Sequence, residues 1–182
     1  MGRLLKLFAV LALGCRALGA QGDAEQPTEA ELQAALLFKF SKFVTWPEAA
    51  FDDDEAPLVF AVVADREGLP AALESVLRGQ TVHGRPVAVE AFEDVQALGP
   101  CHVLFVDSSV SNPATVLAAT RGQSVLVVGA RARFAHRGGA INLYRRGGGL
   151  RFEINPAAVR RAHLNISSKL LRLARVVEDS RR

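Results

Sequence analysis

The chain is short of residues that cross-link, chelate or anchor. In 182 residues there are two cysteines, one tryptophan, one tyrosine and one methionine. Cys15 lies in the first twenty residues, so a chain shortened there keeps only Cys101 and forms no internal disulfide. Stability must then come from the core. No apolar run approaches the ~18 residues that a spanning helix needs. The phosphate-cradling patterns GxGxxG after a first strand and GxxxxGK[ST] are missing. So are the GxSxG nucleophile turn and the HExxH metal pair. The four histidines, His83, His102, His136 and His163, are scattered and read as surface or capping groups. With no nucleophile, base and orienting acid in any pattern, an enzyme is disfavoured. No catalytic residue, metal ligand or cofactor is assigned.

Charge is also less than it looks. The formal net charge is +3, yet Arg3, Lys6 and Arg16 lie in a first twenty residues without Asp or Glu. The remaining 19 Lys+Arg equal the 19 Asp+Glu. A neutral body offers no global field for nucleic acid, which is excluded as a partner.

What is present begins with that leader. Arg3 and Lys6 precede a short apolar stretch, residues 7–13, and small residues follow at 17–20: an export signal over residues 1–20. Export predicts a periplasmic chain without a transmembrane segment once cleaved. The alternative is a lipoprotein anchored through Cys15, since Ala12-Leu13-Gly14-Cys15 resembles a lipid-attachment motif. Residues 21–28 read as a loose polar N-terminus, 29–178 as one α/β domain and 179–182 as a polar tail. The apolar fraction of 49% and ten phenylalanines suit a single domain with a sizeable core.

Within the domain, a helix is predicted over 29–46, stopped by Pro47, with Leu32, Leu36, Phe40, Phe43 and Val44 as its core arc. Asp52, Asp53 and Asp54 form an acidic loop without the glycine and distal glutamate of a calcium loop. Apolar strands follow at 58–64, 81–92 (with a turn at 83–86), 102–106 and 124–128. Helices at 69–78 and 113–121 lie between them. Such alternation predicts parallel βαβ units. Strands 140–144 and 150–154 flank a glycine-rich turn and predict a hairpin, so the sheet is mixed, mostly parallel and flanked by helices. Asn155-Pro156 caps and opens a short helix through Arg161. A last amphipathic helix is expected behind an Asn165 cap, with Ile166, Leu170, Leu173, Ala174 and Val177 inward. Ser167 and Ser168 fall in its first turn. Cys101 opens the run CHVLFV and reads as a buried small hydrophobe. As an odd thiol it could alternatively join two subunits.

Two blocks carry a resemblance. RFEINPAAVRRAHLNISSKLLRLARVV is similar to the C-terminal hallmark of the YfiR-type periplasmic family, and AALLFKFSKFVTWP at 34–47 resembles the signature of its first helix. TVHGRPVAVEAF, CHVLFVDSS and GGAINL stand between them in matching order. The resemblance implies a non-catalytic regulator that binds and inhibits the periplasmic sensor region of an inner-membrane diguanylate cyclase, lowering cyclic di-GMP signalling. Disulfides carried by some relatives lack partners here. Relatives tend to have glycine where His163 stands, which implies a left-handed backbone there.

The residues themselves offer two candidate sites. Phe38 and Lys42 on the first helix, Trp46 at its end, and Leu171 and Val176 off the last stripe are apolar or flanking groups that a simple core does not claim. Arg172 and Arg175 would form a polar rim. A cyclase or a second copy of the chain would explain them equally well. The second site is the carboxyl edge of the parallel strands, Asp65, Asp107, Ser108, Ser109 and Arg131, where a small anion or nucleotide could bind and act as a sensed signal.

Overall fold

The computed structural model describes residues 26–63 and 68–180. The leader, Cys15 and Asp65 lie outside the described residues, as do the last two residues of the predicted tail.

Helix α1 (Glu29–Ser41) starts at Thr28, whose hydroxyl accepts from the Glu31 amide while the Glu31 carboxylate accepts from the Thr28 amide. This reciprocal cap satisfies two donors that the first turn leaves open. The helix ends at Lys42, five residues before Pro47. The predicted helix to Trp46 is therefore too long. The chain turns extended as β1 (Val44–Thr45), which pairs antiparallel with β9 (Asn165–Ile166). The early stop also changes the core arc. Ala30, Ala34, Leu37, Phe40 and Val44 are buried, whereas Leu32, Leu36 and Phe43 are half-buried.

As far as α4, the remaining elements follow the predicted rhythm. They are β2 (Leu58–Val63), α2 (Leu69–Leu77), β3 (Thr81–Val82), β4 (Arg85–Phe92), β5 (Val103–Val106), α3 (Pro113–Ala119) and β6 (Leu126–Gly129). Then come β7 (Ile141–Arg146), β8 (Gly149–Ile154), α4 (Pro156–Arg161), α5 (Ser168–Leu171) and β10 (Arg175–Val176). Among the described residues, eight strands form one curled sheet in the order β10-β8-β7-β6-β5-β2-β4-β3. Pairing is parallel except at the β7–β8 hairpin and the β3–β4 edge. The chain is a single α/β domain with a mixed, mostly parallel sheet, as its pattern predicts.

The central strands are apolar throughout because both faces are covered. Leu58, Phe60 and Val62 of β2 face a cluster with α1 and α2, joined by Val103, Phe105, Leu126 and Val128. Ala61 and Val63 face the other way, against Leu104, Val106, Val127 and Phe134. Phe134 sits on glycine. A Cβ added at Gly129 would meet its ring at 2.7 Å, and one at Gly139 would come closer still. Gly139 is thus required for close approach. Gly138, at φ 107°, does serve turn geometry.

The C-terminal segment departs most from its pattern. Asn155 caps α4 as expected, its Oδ1 accepting from the Ala157 and Ala158 amides. His163 takes the left-handed conformation at φ 55°. The long amphipathic helix does not form. Asn165 pairs in β9, Ser167 instead caps the four-residue α5, and the chain then extends as β10 beside β8. Tertiary pairing of the backbone with β8 replaces the last two turns of the predicted helix.

Candidate functional site

The break after α5 decides which apolar groups reach solvent. Leu170 and Val177 are buried, but Leu173, an expected core residue, is 73% exposed because its helix has ended. Val176 on β10 is 54% exposed. Leu171 is half-buried against the cluster that holds α1, and Arg172 is exposed. Arg175 reaches back to the buried Glu153 at 3.2 Å, tying β10 to its neighbour. β10 is an outer strand of the sheet, so one of its backbone edges is unpaired among the described strands. Leu173 and Val176 thus stand as exposed aliphatics beside an open sheet edge.

The first-helix candidates behave differently. Phe38 is half-buried against the interior cluster, with the Lys42 ammonium 4.2 Å above its ring. Trp46 is not a surface anchor: it is 7% exposed and its indole N–H donates to the His102 carbonyl at 3.2 Å. Once the chain leaves α1 at Lys42, Trp46 is carried inward between β1 and β5. That placement corrects its assignment to a partner surface.

His102 is the residue whose partners sequence reasoning missed. Of the two readings, surface or capping group, the second holds: it is buried at 9% exposure and caps backbone groups of two other segments. Its Nδ1 accepts from the Val59 amide at 3.0 Å, so the proton lies on Nε2, which donates to the Ala50 carbonyl at 2.9 Å. The ring stacks on Phe51 at 4.4 Å, and Arg85 covers the other face of Phe51 at 3.8 Å. Burial, ahead of the opposing hydrogen bond to Ala50 and the repulsion of Arg85, holds the His102 pKa below its usual value of 6.5. A neutral imidazole is what both hydrogen bonds require. The same Arg85 donates to the carbonyls of Asp53 at 2.7 Å and Ala56 at 3.0 Å, closing the acidic loop on itself. Cys101 is buried as expected, and desolvation raises its thiol pKa to about 12.

At the strand ends, Asp107 is buried and its Oδ1 accepts from the Ser109 amide at 2.7 Å. Arg131 donates to the carbonyls of Val110 and Ser111 at 2.8 and 3.2 Å. The structure thus draws Asp107, Ser109 and Arg131 to one loop, where their contacts brace the backbone. Ser108 is exposed beside them. Among the described residues, no group of three or more His, Cys, Asp or Glu could hold a metal. No helix among them is long and apolar enough to cross a membrane.

The model of the YfiR/HmsC-like family matches residues 30–175. The chain belongs to the YfiR/HmsC-like family. No curated protein matches it. The YfiR/HmsC-like family is regulatory and non-catalytic, and membership suggests a periplasmic regulator of diguanylate cyclase signalling. The YfiR/HmsC-like match runs from α1 to Arg175, the first residue of β10. Leu173 falls inside it and Val176 just beyond.

Proposed function

We propose that this chain is an exported, non-enzymatic inhibitor that binds the periplasmic region of an inner-membrane diguanylate cyclase and holds it inactive. Family membership supports the partner class. The observation that carries the binding mode is the exposure of Leu173 and Val176 at the open edge of the sheet. Both are bulky aliphatics that the other described residues leave more than half exposed.

The required energy sets a condition on this surface. Moving a two-state receptor from mostly on to mostly off takes about 5.5 kcal/mol of differential binding. Fully burying one aliphatic side chain contributes ~1.5–3 kcal/mol. Leu173 and Val176 are already partly covered, so together they supply roughly half of what is needed. The rest comes from neighbours: Leu171, whose exposed remainder is apolar, Arg172 at the rim, and strand pairing along β10. Phe38 and Lys42 extend the surface if the cyclase spans from the C-terminal edge to α1. Inhibition also demands that this surface be buried against the inactive cyclase more fully than against the active one, since equal binding shifts nothing.

The test is titration of the cyclase periplasmic region with the exported chain by calorimetry, using Leu173→Asp and Val176→Asp. Each variant should keep its fold and lose at least tenfold in affinity. Full affinity in both would remove the docking edge. Sedimentation of the chain alone separates a cyclase surface from self-association: a dimer dissolved by either substitution assigns the edge to a second copy.

A further inference from the structure

A cavity of about 800 Å³ opens where α3, the turn at Ala135–Arg137 and α4 converge. Pockets of ~300–1,000 Å³ are the usual size for small-molecule sites. Val125, Val127, Ala140 and Ala158 give it an apolar lining. Arg121, Arg137 and Arg161 stand around it, and Asp179 is the one acid among the described residues that line it. The excess of guanidinium favours an anion.

The Asp179 carboxylate shows what kind of anion fits. Arg161 grips it with both arms, Nη1 to Oδ2 at 2.7 Å and Nη2 to Oδ1 at 3.2 Å. Asn155 Nδ2 donates to the same Oδ1 at 2.7 Å. Asn155 is fully buried; its oxygen accepts from the α4 amides and its NH₂ also donates to the Ala135 carbonyl at 2.8 Å, which fixes its other N–H toward Asp179. A guanidinium fork plus an oriented amide is a carboxylate receptor. Its present occupant is open to solvent. The Asp179 side chain is 43% exposed and belongs to the irregular segment that trails past β10. Other hydrogen bonds keep that segment nearby without it: the Ser180 amide donates to the His136 carbonyl at 2.8 Å, and the His136 side chain donates through Nδ1 to the Glu178 carbonyl at 3.0 Å.

We propose that this cavity binds a small organic acid, its carboxylate replacing that of Asp179 on Arg161 and Asn155 and its apolar body lying along Val125, Val127 and Ala140. The chain's own tail is then a competitor, and removing its carboxylate strengthens binding. This site is separate from the loop around Asp107 and Arg131.

Calorimetric titration of the whole exported chain with 3-phenylpropionate, its amide and acetate tests the assignment. The acid should bind, while the amide (no charge) and acetate (no apolar body) bind at least tenfold more weakly. Asp179→Ala, at an exposed tail position, should tighten the acid about fivefold, the worth of releasing one solvent-exposed ion pair. Arg161→Ala should weaken it tenfold or more, with circular dichroism confirming that the variant is folded; Arg161→Lys, which keeps charge but not the fork, should fall between. Equal binding of acid and amide, an affinity unmoved by Asp179→Ala, or no binding even by that variant overturns the proposal.

Discussion

Removal of the His102 imidazole is the sharpest test of how this sheet is held. His102→Ala leaves the Val59 amide and the Ala50 carbonyl without the partners they have at 3.0 and 2.9 Å. Each unpaired buried group costs about 1–3 kcal/mol. Loss of the stack on Phe51 adds ~0.5–1.5 kcal/mol. Val59 and Ala50 are only half-buried, so the lower ends apply and the total is about 2.5 kcal/mol. For a domain of this size that lowers Tm by about 7 °C. His102→Asn keeps an acceptor for Val59 and loses Ala50, so it should cost roughly half as much. The pH dependence gives an independent check. Burial lowers the folded pKa below 6.5, so the unfolded chain binds the proton more readily. Stability from this group is therefore complete above pH 6.5 and lost as pH falls from there toward the depressed native value. Urea melts at pH 7.5 and 5 should show a fall in the wild type that is smaller by this contribution in His102→Ala. A His102→Ala protein as stable as the wild type, with an unchanged pH profile, would refute the network.

Three further outcomes follow from the packing. Cys101, buried and with its thiol pKa raised to about 12, should react with a thiol reagent at pH 8 only as fast as the chain opens; labelling of the native protein at the free-thiol rate contradicts its burial. Gly139→Ala drives a methyl into the Phe134 ring and should cost ~1–3 kcal/mol in denaturant melts, whereas Gly122→Ala, with open space at its Cβ, should show strain from its φ of 78° but no clash at Phe134. Phe38→Ala should cost about 1 kcal/mol, half the worth of a fully buried aromatic, because the ring is only half-covered; a loss of several kcal/mol would make Phe38 a core residue.

Where the sequence was legible, one local rule and the fold agreed. LVFAVV reads as a strand covered on both faces and is one, since parallel strands have no solvent side. Asn155-Pro156 opens a helix because cap and first-turn preferences both favour it. The readings that failed lie where distant backbone decides. Nothing near Lys42 stops α1; the antiparallel partner of Val44 and Thr45 lies more than a hundred residues on. Leu173 and Val177 fit a helical stripe, yet β8 draws the chain out as strand and leaves one exposed and the other buried. Trp46 was misplaced and the partners of His102 were missed for the same reason, those partners being carbonyls and amides that no side-chain pattern displays. The candidate site was half legible: Leu171 and Val176 were singled out as unclaimed apolar groups, while Leu173, the most exposed of all, was hidden by its fit to the stripe.

The most direct measurement is cyclic di-GMP synthesis by membranes carrying the companion diguanylate cyclase, with the exported chain supplied on the periplasmic side. Synthesis should fall as the chain is added, and Leu173→Asp should abolish the effect while remaining folded. Synthesis unchanged at saturating chain, or depressed equally by the Leu173→Asp protein, contradicts an inhibitor that works through this exposed edge.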